Sequence, residues 1–117
     1  MRDFKRLKVW QRSHQLAIDL HRAADTFEGR HRFGLADQLT RAAASIPANI
    51  AEGAGRESLK EFRRFLTIAI GSGAELENHL MLARKLGLID RSAADAHLAE
   101  IAEIMRMLSG LRRRVQS

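Results

Sequence analysis

Histidine and carboxylate pairs are the residues of this sequence whose spacing comes nearest to a metal site or an acid–base pair. Carboxylate-bridged metal sites in helical bundles need two Glu-x-x-His pairs, with further glutamates on facing helices. The sequence has one such pair, Glu28 with His31, and it falls in a predicted turn. Glu75 and His79 are four residues apart and lack a second pair. We therefore expect no metal site and no cofactor.

Covalent catalysis would need an activated nucleophile, and none is indicated. The chain has no cysteine, so it can form neither a thiolate nor a disulfide. The serines show no nucleophile-elbow motif. No glycine-rich phosphate loop follows a strand, because no strand is predicted. We predict that the protein is not an enzyme.

Basic side chains are the remaining residues with binding chemistry to offer. Lys and Arg total 20 against 14 Asp and Glu, which gives a net charge of +6 and favours polyanionic partners such as RNA or DNA. The alternative is that these residues are solvated helix ends that keep the protein soluble. The candidate nucleic-acid-binding residues lie near both chain ends and on the third helical segment: Lys5, Arg6, Lys8, Arg12, Arg63, Arg64, Arg112, Arg113 and Arg114.

Polar residues recur at helical spacing on two neighbouring segments, so each set shares one helix face. They are Arg41, Ser45, Asn49 and Glu52 on the second segment, and Ser72, Glu75 and His79 on the third. An antiparallel register would bring Arg41 to Glu75. It would also bring Asn49 and Glu52 near Lys60, Arg63 and Arg64. We favour a structural network, within or between subunits, over the alternative of a ligand or partner site.

Four helical segments must position these residues. Breaks are predicted at Glu28–Phe33, Gly53–Glu57 and Gly87–Asp90. The third segment is the clearest, with a helix of about 29 residues, Ser58 and Glu61 as a capping box, and Gly87 as its stop. Its apolar positions are three or four residues apart, as in a packed helix seam: Leu59, Phe62, Leu66, Ala69, Gly73, Leu76, Leu80 and Ala83.

Short connections between long amphipathic helices predict an all-α, antiparallel up-down-up-down four-helix bundle. Its length indicates one domain, residues 1–117. This order brings both basic chain ends to the same pole. Gly71 and Gly73 are expected to face Ala42, Ala43 and Ala44, so that two helices approach closely.

The chain is expected to be cytoplasmic. Its first ten residues are too charged for a signal peptide, and no apolar run approaches the roughly 18 residues that span a membrane. We therefore expect no membrane partner.

One long stretch is distinctive: Phe33 to Gly53, with the sequence FGLADQLTRAAASIPANIAEG. It is followed by Gly55-Arg56, by Ile68–Ser72, by Glu75-Leu76 and by Leu86–Ile89. Together these segments resemble the bacterial four-helix bundle proteins encoded within intervening sequences of large-subunit ribosomal RNA genes. That family is similar to the accessory protein of diversity-generating retroelements.

The resemblance implies a ring-forming homo-oligomer, a homopentamer, that binds RNA or DNA. In the retroelement branch it also implies contact with a reverse transcriptase. The family's motif positions, to which it implies an assembly or architectural role, are Arg41, Ser45, Asn49, Glu52, Arg56, Ser72 and Glu75. The chain departs from many relatives in having Glu28 in place of a proline and Gly73 in place of a leucine.

Taken together, the sequence predicts a non-enzymatic, homo-oligomeric four-helix bundle that binds nucleic acid. The alternative function is a protein-interaction scaffold or an accessory subunit, for example of a retroelement reverse transcriptase.

Overall fold

Four long helices account for most of the chain, as the apolar spacing predicts. The computed structural model describes residues 2–116, and no strand occurs in that range. The helices are α1 (Lys8–Ala24), α2 (Leu35–Ala54), α3 (Leu59–Lys85) and α4 (Arg91–Arg114), with short 3-10 turns at Phe4–Arg6 and Gly29–Arg32. The predicted all-α, four-helix fold is confirmed.

Side-chain contacts between helices show that neighbours run antiparallel. The Arg112 guanidinium, near the end of α4, donates to the Thr67 hydroxyl near the start of α3 at 3.3 Å. At the opposite end of the same pair, Arg84 on α3 forms an ion pair with Asp95 on α4. The same antiparallel order holds between α2 and α3. Both chain ends therefore lie at one pole of the bundle.

The buried seam of α3 supplies the centre of the core. Every predicted seam position is buried except Leu59, which is partly buried. Leu66, Leu76 and Leu80 have no exposed surface, and burying a leucine fully stabilises a fold by about 1.5–3 kcal/mol. All the helices add buried apolar side chains to this one cluster.

The helix starts follow the predicted caps, with one difference. The Ser58 hydroxyl accepts a hydrogen bond from the Glu61 amide at 3.2 Å. The Glu61 carboxylate accepts from the Arg64 side chain, so only half of the capping box forms. At the start of α4, the Asp90 carboxylate accepts a hydrogen bond from the Ala93 backbone amide.

Gly87 ends α3 as predicted, two residues after the last helical residue. Its φ is 72°, a left-handed conformation that glycine adopts without steric cost. The Gly87 amide donates to the Arg84 carbonyl at 3.1 Å, and the Leu88 amide donates to the Ala83 carbonyl at 2.9 Å. This pair of bonds is a Schellman motif, and it leaves α3 with 27 residues.

The expected contact of Gly71 and Gly73 with Ala42–Ala44 is wrong. Gly73 is buried against α4, where an added Cβ would overlap the Met105 sulfur. Gly71 is exposed, and an added Cβ there would have none of the described atoms within 4 Å. The rotation of α3 about its axis determines what each glycine faces, since the two glycines lie on different faces of the helix.

The close approach between α2 and α3 occurs instead beside their connection. A Cβ added to the buried Gly53 would lie 2.7 Å from the Phe65 Cβ and 3.0 Å from the Phe62 ring. Neither neighbour is the free end of a flexible chain, so a glycine is required here by packing.

No helix within residues 2–116 is long and apolar enough to cross a lipid bilayer.

Replacing Gly71 and Gly73 by alanine, one at a time, should change the free energy of unfolding by different amounts, because the two glycines have different surroundings. Gly71→Ala should raise the free energy of unfolding by about 1 kcal/mol, because alanine is the better helix former and nothing is displaced. Gly73→Ala should gain less, because Met105 must move away from α3. Chemical denaturation at one fixed protein concentration measures both values. Equal stabilisation by the two substitutions would contradict the Gly73–Met105 contact.

Candidate nucleic-acid interface

The pole that carries both chain ends holds most of the basic charge. We define this terminal pole as residues 2–12, 52–67 and 110–116. It contains twelve basic and four acidic side chains, a formal charge of +8. The opposite pole, residues 24–37 and 82–95, has five of each and is formally neutral. The predicted merging of the two basic chain ends at one pole agrees with this fold.

Arg2 holds the N-terminal segment against the connection between α2 and α3. Its guanidinium donates to the Arg56 carbonyl at 2.9 Å and to the Ala54 carbonyl at 3.4 Å. It also lies over the Phe62 ring, 4.8 Å from the centroid. These contacts partly satisfy the end of α2, where carbonyl groups lack helical partners.

Two of the nine candidate binding residues are occupied by ion pairs inside the protein. Arg12 on α1 donates to both carboxylate oxygens of Glu100 on α4, at 3.0 and 2.5 Å. Hydrogen bonding to Glu100 raises the pKa of Arg12 above its ordinary value, outweighing its partial burial. On α3, Arg64 binds Glu61 at 2.9 Å. That hydrogen bond lowers the pKa of Glu61 and raises the pKa of Arg64.

Lys5 is exposed and only loosely paired. Its ammonium lies 3.9 Å from the Asp3 carboxylate and 5.6 Å from the centre of the Phe4 ring. Both contacts are local along the chain, so they leave Lys5 accessible to a partner.

The remaining candidates line two clefts at the terminal pole. The first lies between the start of α1 and the end of α4 and has a volume of about 420 Å³. Arg6, Lys8 and Arg114 line it together with Arg106 and Glu103. Arg106 and Glu103 form an ion pair at 2.6 Å, so part of the charge in this cleft is already neutralised.

The second cleft lies between α3 and α4 and has a volume of about 270 Å³. Three arginines line it, Arg63, Arg112 and Arg113, together with Thr67 and Gln116. We call it the arginine cleft. Among the described residues no carboxylate lines it, which distinguishes it from the first cleft.

The polar stripe on α2 and α3 forms a hydrogen-bonded network between the two helices. The Ser45 and Ser72 hydroxyl oxygens are 2.8 Å apart. The Asn49 side-chain amide donates to the Ser45 carbonyl at 2.8 Å and to the Ser45 hydroxyl at 2.9 Å. All three residues are half-buried. The network spans two helices of one chain, as the structural interpretation of the stripe expects.

Comparison with known proteins identifies the family to which the chain belongs. The family model described as "23S rRNA-intervening sequence protein" matches residues 5–110. The chain belongs to the 23S rRNA-intervening sequence protein family. The resemblance seen in the sequence is therefore confirmed.

A solved structure shares the fold of this family member. It is the crystal structure of a protein with unknown function from the S23 ribosomal protein family of Bacteroides thetaiotaomicron. The two structures superpose with a TM-score of 0.84 at 24% sequence identity, over 90% of this chain and 95% of the other. No curated protein matches the chain significantly.

Two expected ion pairs of this 23S rRNA-intervening sequence protein do not form. Arg41 and Glu75 line the same small cleft, but no ion pair joins them in the part of the chain described. The Glu75 carboxylate lies instead 3.8 Å from Nε2 of His79. His79 is almost fully buried, and its Nε2 has no hydrogen-bond partner among the described residues.

Glu52 is the other case, because it pairs with a residue just beyond the end of its own helix. Its carboxylate binds Arg56 at 2.9 Å, four residues further on, and not Arg63 or Arg64. Residues this close in the chain can meet without any adjustment between helices. The local pair therefore forms, and Arg63 keeps an unpaired charge.

The sequence interpretation missed an apolar groove between α1 and α2. It has a volume of about 590 Å³. Phe4 and Trp10 form one wall, where Trp10 stacks on His14 with ring centres 4.5 Å apart. The α2 wall is made of small residues: Ala44, Pro47, Ala48 and Ala51. Their helical spacing was the available signal, but alanines at that spacing are equally typical of a core.

It also missed exposed apolar side chains on α3. Ile68 and Leu82 are 39% and 44% exposed, and they lie fourteen residues apart on one face of the helix. Leu86 extends this face and is also exposed.

Within residues 2–116, no group of three or more metal-binding side chains occurs.

Proposed function

We propose that this member of the 23S rRNA-intervening sequence protein family is a non-enzymatic, cytoplasmic protein that binds RNA or DNA through its terminal pole. The observation that carries the proposal is a concentration of unpaired cations there. None of these residues has an ion-pair partner among residues 2–116: Arg6, Lys8, Lys60, Arg63, Arg112, Arg113 and Arg114.

The chemistry of these side chains suits phosphate groups. Guanidinium groups match phosphate oxygens in a two-point geometry, and ammonium groups act as point charges. Such contacts bind the backbone of a nucleic acid and carry no base sequence information. Binding should therefore be largely independent of sequence and strongly dependent on salt.

Neutralising the end of α4 should weaken nucleic-acid binding. Arg112→Gln, Arg113→Gln and Arg114→Gln combined should lower the affinity for structured RNA and for duplex DNA by at least about tenfold. The dependence of log K on log salt should become shallower by about 0.7–0.9 for each phosphate that the variant no longer binds. Fluorescence anisotropy across a salt series measures both quantities.

The matched control removes the same charge from the opposite pole. Arg30→Gln, Lys85→Gln and Arg91→Gln combined should leave the affinity within about twofold of the parent, because only local charge contacts the phosphates. Equal weakening by both variants would show that net charge, and not the terminal pole, drives binding. No binding at low salt by the folded parent protein would refute the proposed function.

We also propose that the protein assembles as a homo-oligomer through the α2–α3 face. The exposed Ile68 lies about one turn before Ser72 on α3, and Leu82 continues the face of Ile68. This face therefore combines apolar area with the half-buried, satisfied Ser45–Ser72 contact, as protein interfaces do. The family resemblance implies a pentameric ring. A ring would repeat the +8 pole in each subunit, and simultaneous contacts by several subunits would increase the affinity for one long polyanion.

A charge on the apolar part of that face should disrupt assembly. Leu82→Glu should shift the protein to smaller species in native mass spectrometry, because the interface would bury an unpaired carboxylate. Met81→Glu is the matched control, since Met81 is 41% exposed and lies about 100° away around α3. A parent protein that is monomeric, or equal dissociation by both variants, would contradict assembly through this face.

The second candidate function is a protein-interaction scaffold or accessory subunit, for example of a reverse transcriptase. The apolar groove between α1 and α2 favours it, because concave apolar surfaces accept helices and aromatic side chains of partner proteins. A folded oligomer that fails to bind RNA and DNA at low salt would favour this function over the first.

A further inference from the structure

The arginine cleft combines three positive charges, and no counter-charge from residues 2–116 lines it. Arg63 comes from α3, and Arg112 and Arg113 come from the last turn of α4. The side chains of Arg63 and Arg113 donate no hydrogen bond to the described residues. Like charges held together repel each other, and Arg63 and Arg112 are half-buried, so water screens their repulsion less than at an open surface. An anion in the cleft would remove this cost.

Some neighbouring arginines on the same two helices are paired, whereas those of the cleft are not. Arg64 pairs with Glu61, and Arg106 pairs with Glu103, each through a carboxylate three residues away. Pairing at this spacing needs a carboxylate three or four residues away, and neither Arg63 nor Arg112 has one. Its absence at Arg63 and Arg112 leaves two guanidinium groups ready for an external ligand.

One of the three arginines is already held in place. The Arg112 guanidinium donates to the Thr67 hydroxyl at 3.3 Å, and that hydroxyl donates to the Arg63 carbonyl at 3.1 Å. Arg112 therefore uses one of its five N–H donors to fix its position and keeps the others for a ligand. A side chain positioned in advance loses less conformational entropy when it binds.

The size and charge of the cleft indicate the class of ligand. Its volume of about 270 Å³ is several times the roughly 30 Å³ that a water molecule occupies in the liquid. A phosphate monoester carries a charge of about −1.5 to −2 and three acceptor oxygens, whereas an internal phosphodiester carries a single negative charge. Three guanidinium groups match the monoester better in both charge and number of acceptors.

We propose that the arginine cleft binds a phosphate monoester, the group found at the phosphorylated end of a nucleic-acid strand. This rests on the proposed function for the identity of the strand, but the affinity of the cleft for the phosphate group does not depend on it. Arg63 and Arg112 bind the phosphate oxygens, Arg113 adds charge at the exposed side, and Thr67 positions Arg112.

The first test uses inorganic phosphate, which carries the same group without a strand. Titration of the ¹⁵N-labelled full chain should give saturable shifts of the Arg63 and Arg112 Nε–H signals. Arg63→Gln should weaken this binding at least tenfold, and Arg63→Lys should weaken it by an intermediate factor, because lysine keeps the charge but loses the two-point geometry. Arg91→Gln, at the opposite pole, should change it by less than twofold.

The second test compares short RNA strands that differ only in a 5′-phosphate or a 5′-hydroxyl. The parent protein should bind the phosphorylated strand about tenfold more tightly, and Arg63→Gln should abolish that preference. Circular dichroism melting confirms that each variant is folded. Equal affinity of the parent for both strands would overturn the proposal, as would phosphate shifts that are unchanged in Arg63→Gln.

The two proposals fail in different ways. If inorganic phosphate binds at Arg63 and Arg112 but no strand of either kind binds, the proposed nucleic-acid function is refuted and the phosphate site stands. If strands bind but show no dependence on the terminal phosphate, the nucleic-acid function stands and the monoester site is refuted.

Discussion

The packing of α3 between α2 and α4 is the constraint on which the rest of the structure depends. Its seam of buried leucines and alanines gains stability by contacting both neighbours over their length, and the short connections on either side of α3 make both neighbours antiparallel to it. The antiparallel order then fixes which residues meet at each end. It brings residues 2–12, 52–67 and 110–116 to one pole, although they are far apart in the sequence.

That arrangement has an electrostatic consequence. Collecting twelve basic side chains at one pole costs free energy through repulsion, and local ion pairs such as Arg12–Glu100 and Arg64–Glu61 offset only part of it. Exposed pairs of this kind contribute about 0–1 kcal/mol each. The free energy gained by burying the core outweighs the repulsion that remains. The uncompensated charge at the pole is the physical basis of the proposed binding function, and the arginine cleft is its most concentrated point.

Features set by local spacing could be predicted from the sequence, and features set by helix rotation could not. The α3 seam, the Ser58 cap and the Gly87 stop depend on residues within a few positions of each other, and they were predicted correctly. The facing partner of Gly73 was wrong, because a rotation of α3 by part of a turn replaces Ala42–Ala44 with Met105. The Arg12–Glu100 pair and the apolar groove were missed for a similar reason. Each depends on which helix lies alongside α1, and the apolar spacing does not specify that neighbour.

The central claim is that the terminal pole is the surface that contacts nucleic acid. Hydrogen–deuterium exchange of the intact protein, with and without a structured RNA at low salt, tests this claim most directly, because it locates the contact without altering any residue. The account predicts slower exchange on RNA binding in residues 2–12, 52–67 and 110–116, with residues 24–37 and 82–95 unchanged. Slower exchange confined to residues 24–37 and 82–95, or to the walls of the α1–α2 groove, would contradict it.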